Sequence, residues 1–389
     1  MAKNHIYLLT LGHAANDMCQ GALPALLPFF IKAYSLSYES AATLIFASTV
    51  FSSILQPVFG YFSDKISRSA LISLGLVLSG LGIYTMGFVS SYGALLSAAI
   101  VSGIGSALFH PEAAKMANAI SSADKKAKGI SIFAVGGNIG FAVGPLIAGF
   151  CAYHAGLHGL LVFGVITTLV AFAFLLAMPA IKNLAKDVAS SEPKGQNLAK
   201  NDWRSFSKLT AVIFSRSVIF FTLNTFIPIY WVHVLHQSES SASMALTILF
   251  SFGVVVTLAG GALSDKFGHI KTLRYAYIAM VPILFAFTQS TDATLCTILL
   301  FFVGIAIFVP YSPTVLLGQR YLAKNIGFAS GVTLGLGVSV GGIVTPAVGV
   351  IADKFGLYAA MQILWMTAII GLVFSFMLTP SSQRPQAHI

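Results

Sequence analysis

Charge is the scarcest property of this chain of 389 residues: Asp, Glu, Lys and Arg make up 9% of it, against about a quarter in a soluble domain. That scarcity, with 57% hydrophobic residues, excludes an ordinary water-soluble globule and points to lipid. Cysteine is scarce too. Cys19, Cys151 and Cys296 show neither a disulfide framework nor the spacing of a metal site, so no metal ligands are expected from sequence. There is no glycine-rich nucleotide loop and no nucleophile constellation, and no soluble domain could hold one. An enzyme and direct ATP drive are therefore not expected, and neither is a cofactor. No cleavable signal peptide is expected either: the first apolar run follows Lys3 but is too long and carries His13 and Asp17.

Long apolar runs fill the chain instead. Runs of roughly 20 residues recur, each enough to carry a helix across about 30 Å of hydrocarbon. Twelve are expected, near 6–30, 41–62, 70–89, 92–117, 129–153, 157–178, 209–232, 242–263, 273–288, 293–317, 328–352 and 357–378. They are continuous and lack strict alternation, which predicts helices rather than a barrel. The expected fold class is all-α, a membrane protein of twelve helices.

The basic residues set the orientation. Numbered from the N-terminus, the segments on that side hold 19 of the 22 Lys and Arg residues, while the opposite side has Lys32 and Lys354. The positive-inside rule then places both termini in the cytoplasm. The net charge of +10 is largely this signal, so no nucleic-acid partner is expected. The one long polar stretch, residues 181–208, reads as a cytoplasmic linker between bundles at 1–180 and 209–389.

The halves are related. Gly60-Tyr61-Phe62-Ser63-Asp64-Lys65-Ile66-Ser67-Arg68 is nearly repeated 201 residues later as Gly261-Ala262-Leu263-Ser264-Asp265-Lys266-Phe267-Gly268-His269. The same offset carries Gly136 onto Gly337, Gly140 onto Gly341, Pro145 onto Pro346 and His110-Pro111-Glu112 onto Tyr311-Ser312-Pro313. Parallel repeats of this kind place a substrate path along the interface between halves. Gly136, Gly140 and Gly144 lie four apart on one helix face, ahead of Pro145, and would let backbones approach closely. The bland reading is tight packing; the sharper one is a face at which the halves rock. For the Asp-Lys motifs the alternatives are a solvated turn or a contact that holds the cytoplasmic side shut. A third look-alike, Gly349–Lys354, reads as a turn.

Three charges fall inside spans: Asp17 in the first, Glu112 in the fourth and Arg216 in the seventh. A charge within hydrocarbon costs about 2.5–3.5 kcal/mol on insertion scales, so each should face a cavity or a partner. His13, Asn16, Asp17 and Gln20 form one polar stripe, with His13 and Asp17 as i,i+4 neighbours. Asp17 is the first candidate proton carrier, Glu112 the second, with His13 and His110 beside them. Arg216 is the candidate anion binder, with Asn16, Gln20, Asn224 and Tyr311 as further substrate candidates. Against these stand purely structural readings: a helix–helix hydrogen bond for a lone polar residue, a Glu112–Lys115 pair, or an Arg216 that only neutralises Asp17 or Glu112.

Together these features resemble the major facilitator superfamily. Gly60-x-x-x-Asp64-Lys65-x-x-Arg68 is similar to its signature between helices 2 and 3, with Ser67 where glycine is usual. Gly136 to Gly149 resembles the antiporter motif of its helix 5. Residues 12–28, 107–115 and 216–228 resemble the fosmidomycin-resistance branch, which consists of bacterial inner-membrane efflux proteins. The resemblance implies two six-helix bundles, spans 1, 4, 7 and 10 around a central cavity, and proton-coupled export of a small polar or anionic compound. It also implies a functional monomer whose partners are substrate, protons and the lipid bilayer. The glycines and charges of the repeated motifs (Gly60, Asp64, Lys65, Arg68, Gly261, Asp265, Lys266) and of span 5 (Gly140, Gly144, Pro145) are the expected gates. An uptake symporter on the same fold and a non-transporting receptor or scaffold are the alternatives.

Overall fold

The computed structural model describes residues 2–62, 68–121, 126–189, 201–325, 329, 332–333 and 337–380. These form helices, as continuous apolar runs must where no water satisfies the backbone. In chain order they are α1 (Ala2–Tyr34), α2 (Tyr38–Phe62), α3 (Arg68–Met86), α4 (Tyr92–Ala119), α5 (Lys126–Ala155) and α6 (Leu161–Ala189), the last entered through a 3-10 turn at Leu157–Leu160. Then follow α7 (Trp203–His233), α8 (Glu239–Ser251), α9 (Gly253–Phe267), α10 (His269–Gln289), α11 (Ala293–Phe308), α12 (Tyr311–Tyr321), α13 (Gly337–Phe355), α14 (Leu357–Met361) and α15 (Ile363–Phe376). Among the described residues, nine helical segments are long and apolar enough to cross a membrane.

Three expected spans each carry a local interruption inside one membrane-length helical segment, the run at 357–378 being α14 and α15 joined at Gln362. The run expected at 242–263 is α8 and α9, joined at Phe252. The run expected at 293–317 is α11 and α12, interrupted at Val309 and Pro310; proline has no N–H to donate and starts a helix better than it continues one. The turn from α9 to α10 needs glycine: Gly268 has φ +91°, and its N–H closes α9 onto the Ser264 carbonyl at 2.9 Å. Asp202 caps α7, its Oδ1 accepting the Ser205 N–H at 2.9 Å. That bond holds the Asp202 carboxyl below its ordinary pKa.

The chain packs as two compact units, Met1–Lys194 with Thr225–Ser251, and Gly195–Asn224 with Phe252–Ile389. In the first, α1 lies along α5, α3 along α4 and α6, α2 along α4, and α8 along α5. The α1–α5 approach is made by glycine. A Cβ on Gly140 would stand 2.5 Å from the Ala14 carbonyl and 2.7 Å from the Met18 nitrogen, and Gly136 and Gly144 face the Thr10 and Met18 carbonyls. Phe109, Phe174, Met116, Leu76 and Ile181 belong to a buried apolar cluster across α3, α4 and α6. At the far end of α5, Gly149 admits Ser243 of α8, and Lys32 pairs with Glu239 at 3.0 Å.

In the second unit α10 packs on α15 and α11, and α9 on α12 and α11. Glycine again brings helices together: Gly341 of α13 lies on the Ser217 backbone of α7 and donates its N–H to Ser217 Oγ at 3.1 Å. Tyr277 is fully buried and donates to the Val212 carbonyl at 2.9 Å. Arg274 closes the end of α15, donating to the carbonyls of Ser375, Phe376 and Leu378 at 3.0–3.1 Å.

Candidate functional site

The polar stripe of α1 faces α4 and α5 and centres on Asp17, which is 5% exposed. His13 Nε2 stands 3.2 Å from Asp17 Oδ2, as the i,i+4 spacing predicts. From α4, His110 Nε2 reaches Asp17 Oδ1 at 3.0 Å, and Asn16 Nδ2 donates to the same oxygen at 3.0 Å. The far sides of both rings are held as well. His13 Nδ1 is 2.9 Å from the Phe133 carbonyl of α5, on whose ring it also stacks. His110 Nδ1 is 3.0 Å from both the carbonyl and the hydroxyl of Ser106, one turn earlier in α4. Ser106 Oγ further accepts from Asn16 Nδ2 and Ser52 Oγ, each at 3.3 Å. The ligating atoms of His13, Asp17 and His110 lie within 4.8 Å of one another, close enough to hold a metal ion.

The second unit has its own buried charge. Arg216 of α7 is 9% exposed, with its Cζ 5.1 Å from the ring centroid of Tyr311 on α12. A guanidinium on an aromatic face gains a cation–π contact. Arg216 forms no ion pair among the described residues, and its Nε has no hydrogen-bond partner there. Among the described residues no carboxylate receives the donors of its planar fork.

The other expected residues fall as follows. Glu112 is 1% exposed, with Oε1 3.4 Å from Lys115 Nζ, the pair anticipated from their spacing. Gln20 accepts from Ser48 Oγ at 3.4 Å, while among the described residues its Nε2 has no hydrogen-bond partner and the buried Asn224 Oδ1 has none either. Gly140 and Gly144 lie on the α1 contact, and Pro145 borders it beside Gly21. Gly261 lies in α9, near Ser312 of α12. Asp265 and Lys266 are exposed at the end of α9, where Lys266 Nζ sits 5.3 Å over the Phe267 ring. Asp64 and Lys65 lie outside the described residues. Gly60 and Arg68 belong to α2 and α3, without described side chains.

Sequence reasoning missed Ser106, Ser52 and the Phe133 carbonyl. Serines are common in these helices and a backbone carbonyl leaves no mark in a sequence, so only the Ser106–His110 spacing of four could have signalled one of these contacts.

Apolar helices of membrane-spanning length, with charged groups buried between them, define an integral membrane protein whose polar centres are set inside its helical packing. The model of the Major Facilitator Superfamily matches residues 9–333, and the chain belongs to that family. It is thus a multi-pass membrane transporter. It is similar to YfnC, an uncharacterized MFS-type transporter of Bacillus subtilis strain 168, at 28% identity over 97% of this chain and 93% of the relative. It is also similar to the fosmidomycin resistance protein of Escherichia coli K12, at 26% identity over 95% and 91%. Among solved structures, a bacterial homologue of the human lysosomal transporter Spinster, in an inward-facing and occupied conformation, shares the fold. Its TM-score is 0.79 at 16% identity, with 97% of each chain covered.

Proposed function

We propose that this transporter exports a small anionic compound by alternating access, in exchange for protons. Arg216 carries the anionic reading. A buried guanidinium with no carboxylate opposite it among the described residues is costly to keep, and an incoming carboxylate or phosphonate would meet its donors as a bidentate pair. Asn16, Gln20, Asn224 and Tyr311 are the proposed further contacts. Asn224 lies in the same unit as Arg216, and its buried Oδ1, without a hydrogen-bond partner among the described residues, supports its inclusion. The export direction is supported by two relatives, one named a fosmidomycin resistance protein and another, in Staphylococcus aureus, named quinolone resistance protein NorA.

The proposed proton-coupling centre is Asp17 with His13 and His110, and Glu112 is the second carboxylate. The proposed frame has twelve membrane-spanning helices: six-helix bundles at 1–180 and 209–389, a linker at 181–208, and both termini in the cytoplasm of a bacterial inner membrane. The repeated Asp-Lys motifs and the α1–α5 glycine contact are its proposed gates.

Membrane vesicles of both orientations, given fosmidomycin as the first probe, test the reading. Inverted vesicles with an acidic lumen should accumulate the compound, because protons leave as substrate enters. Accumulation only in right-side-out vesicles with acid outside would make the protein a symporter and contradict export.

A further inference from the structure

We propose that His13, Asp17 and His110 form a binding site for a divalent transition-metal ion of the zinc class. The site is the same centre that the export reading uses for protons, but the inference rests on its geometry alone.

The orientation of the two rings carries the argument. His13 Nδ1 faces the Phe133 carbonyl at 2.9 Å, and His110 Nδ1 faces the Ser106 carbonyl at 3.0 Å. A carbonyl only accepts, so each Nδ1 bears the hydrogen and donates it. In the neutral rings that leaves Nε2 as the lone-pair nitrogen. Both Nε2 atoms point at one carboxylate, at 3.2 Å and 3.0 Å. Two nitrogen lone pairs directed at a carboxylate repel it unless a proton or a metal ion lies between them, and a metal ion is the single cation that can serve all three groups at once. Histidines whose distal N–H is fixed by a carbonyl, with Nε2 turned towards a carboxylate, have the arrangement of metal-ligating histidines.

Ligand chemistry selects the ion. Two imidazole nitrogens and one carboxylate suit zinc and its neighbours, whereas magnesium and calcium take oxygen. Glycine at 137 lets α5 pack closely on the triad: a Cβ there would stand 2.6 Å from Asp17 Oδ2 and 2.7 Å from His13 Nε2. A fourth donor is at hand. Asn16 is fully buried and its Oδ1 has no hydrogen-bond partner, while its Nδ2 sits 3.0 Å from Asp17 Oδ1. Turning that amide over would present the oxygen to a cation bound by Asp17. The ligands come from α1 and α4, so the ion would tie those two helices together.

The test uses the full-length chain, purified without a polyhistidine tag and titrated with zinc chloride against a fluorescent chelator at neutral pH. Magnesium chloride is the control ion, and His158→Gln, outside the centre, is the control variant. One zinc per chain is expected, with X-ray absorption reporting histidine nitrogens at about 2.0–2.1 Å. His110→Gln and Asp17→Asn should each weaken binding by at least about tenfold, while His158→Gln binds as wild type. Thermal melts confirm that the variants fold, and His110→Gln alone decides if Asp17→Asn does not. Absence of stoichiometric zinc, or wild-type affinity in folded His110→Gln, would overturn the proposal. Because binding is read without flux, its failure leaves the export reading standing, and a failure of export leaves the zinc result standing.

Discussion

His110 and Tyr311 occupy matched places in the two halves, 201 residues apart, and each meets the buried charge on the first helix of its half. His110 of α4 meets Asp17 of α1 at 3.0 Å, while Tyr311 of α12 lies under Arg216 of α7 at 5.1 Å. Two residues related by the sequence offset thus serve opposite charges by opposite chemistry: ring nitrogens for an anion, a π face for a cation. The two centres also differ in how complete they are. Asp17 has nitrogen contacts from His13, His110 and Asn16, whereas Arg216 has an aromatic ring and an Nε with no hydrogen-bond partner. A charge enclosed by its own neighbours is suited to exchanging a small cation. A charge with no counter-ion among the described residues is suited to a ligand that brings one.

The largest effect is expected at the enclosed centre. Asp17→Asn keeps the shape but removes the charge on which His13 and His110 converge, so gradient-driven flux in proteoliposomes should be lost while insertion is preserved. Glu112→Gln is the companion variant, and full pH-dependent flux in both would remove the cation role from this half. Next is the scaffold that aims α1. Gly140→Leu drives a side chain into the Ala14 carbonyl and Met18 nitrogen, backbone atoms that cannot step aside, and should destabilise by about 1–3 kcal/mol or more. Thermal melting in detergent reads this, and an unchanged melting temperature would mean that α1 and α5 do not need that approach. The smallest effect belongs to the open centre's ring. Tyr311→Leu removes the cation–π contact, about 0.5–2 kcal/mol, and should weaken anion binding by roughly two- to thirtyfold. Unaltered affinity would leave Tyr311 as packing.

These centres were legible in the sequence to different depths. Asp17, Glu112 and Arg216 stand out because charge in an apolar run is costly, and the His13–Asp17 contact follows from helical spacing. The glycines of α5 announced a close approach, but not that α1 and its polar stripe are what they admit. His110 meets Asp17 from 93 positions along the chain, and no local pattern encodes such a pairing. The local interruptions at Phe252, Val309–Pro310 and Gln362 were hidden because apolarity continues on both sides of them, and hydropathy reads lipid solubility rather than helix regularity. The Arg216–Tyr311 stack was foreshadowed only by both residues being substrate candidates.

Calorimetric titration of wild type, Arg216→Lys and Arg216→Gln with fosmidomycin and with simple carboxylates and phosphonates tests the central claim most directly. Lysine keeps the charge without the planar fork, and glutamine keeps neither. The account predicts that affinity for the anionic ligand falls from wild type to Arg216→Lys to Arg216→Gln, with each variant folded. Equal affinity of folded Arg216→Gln and wild type would contradict it and take Arg216 out of the binding site.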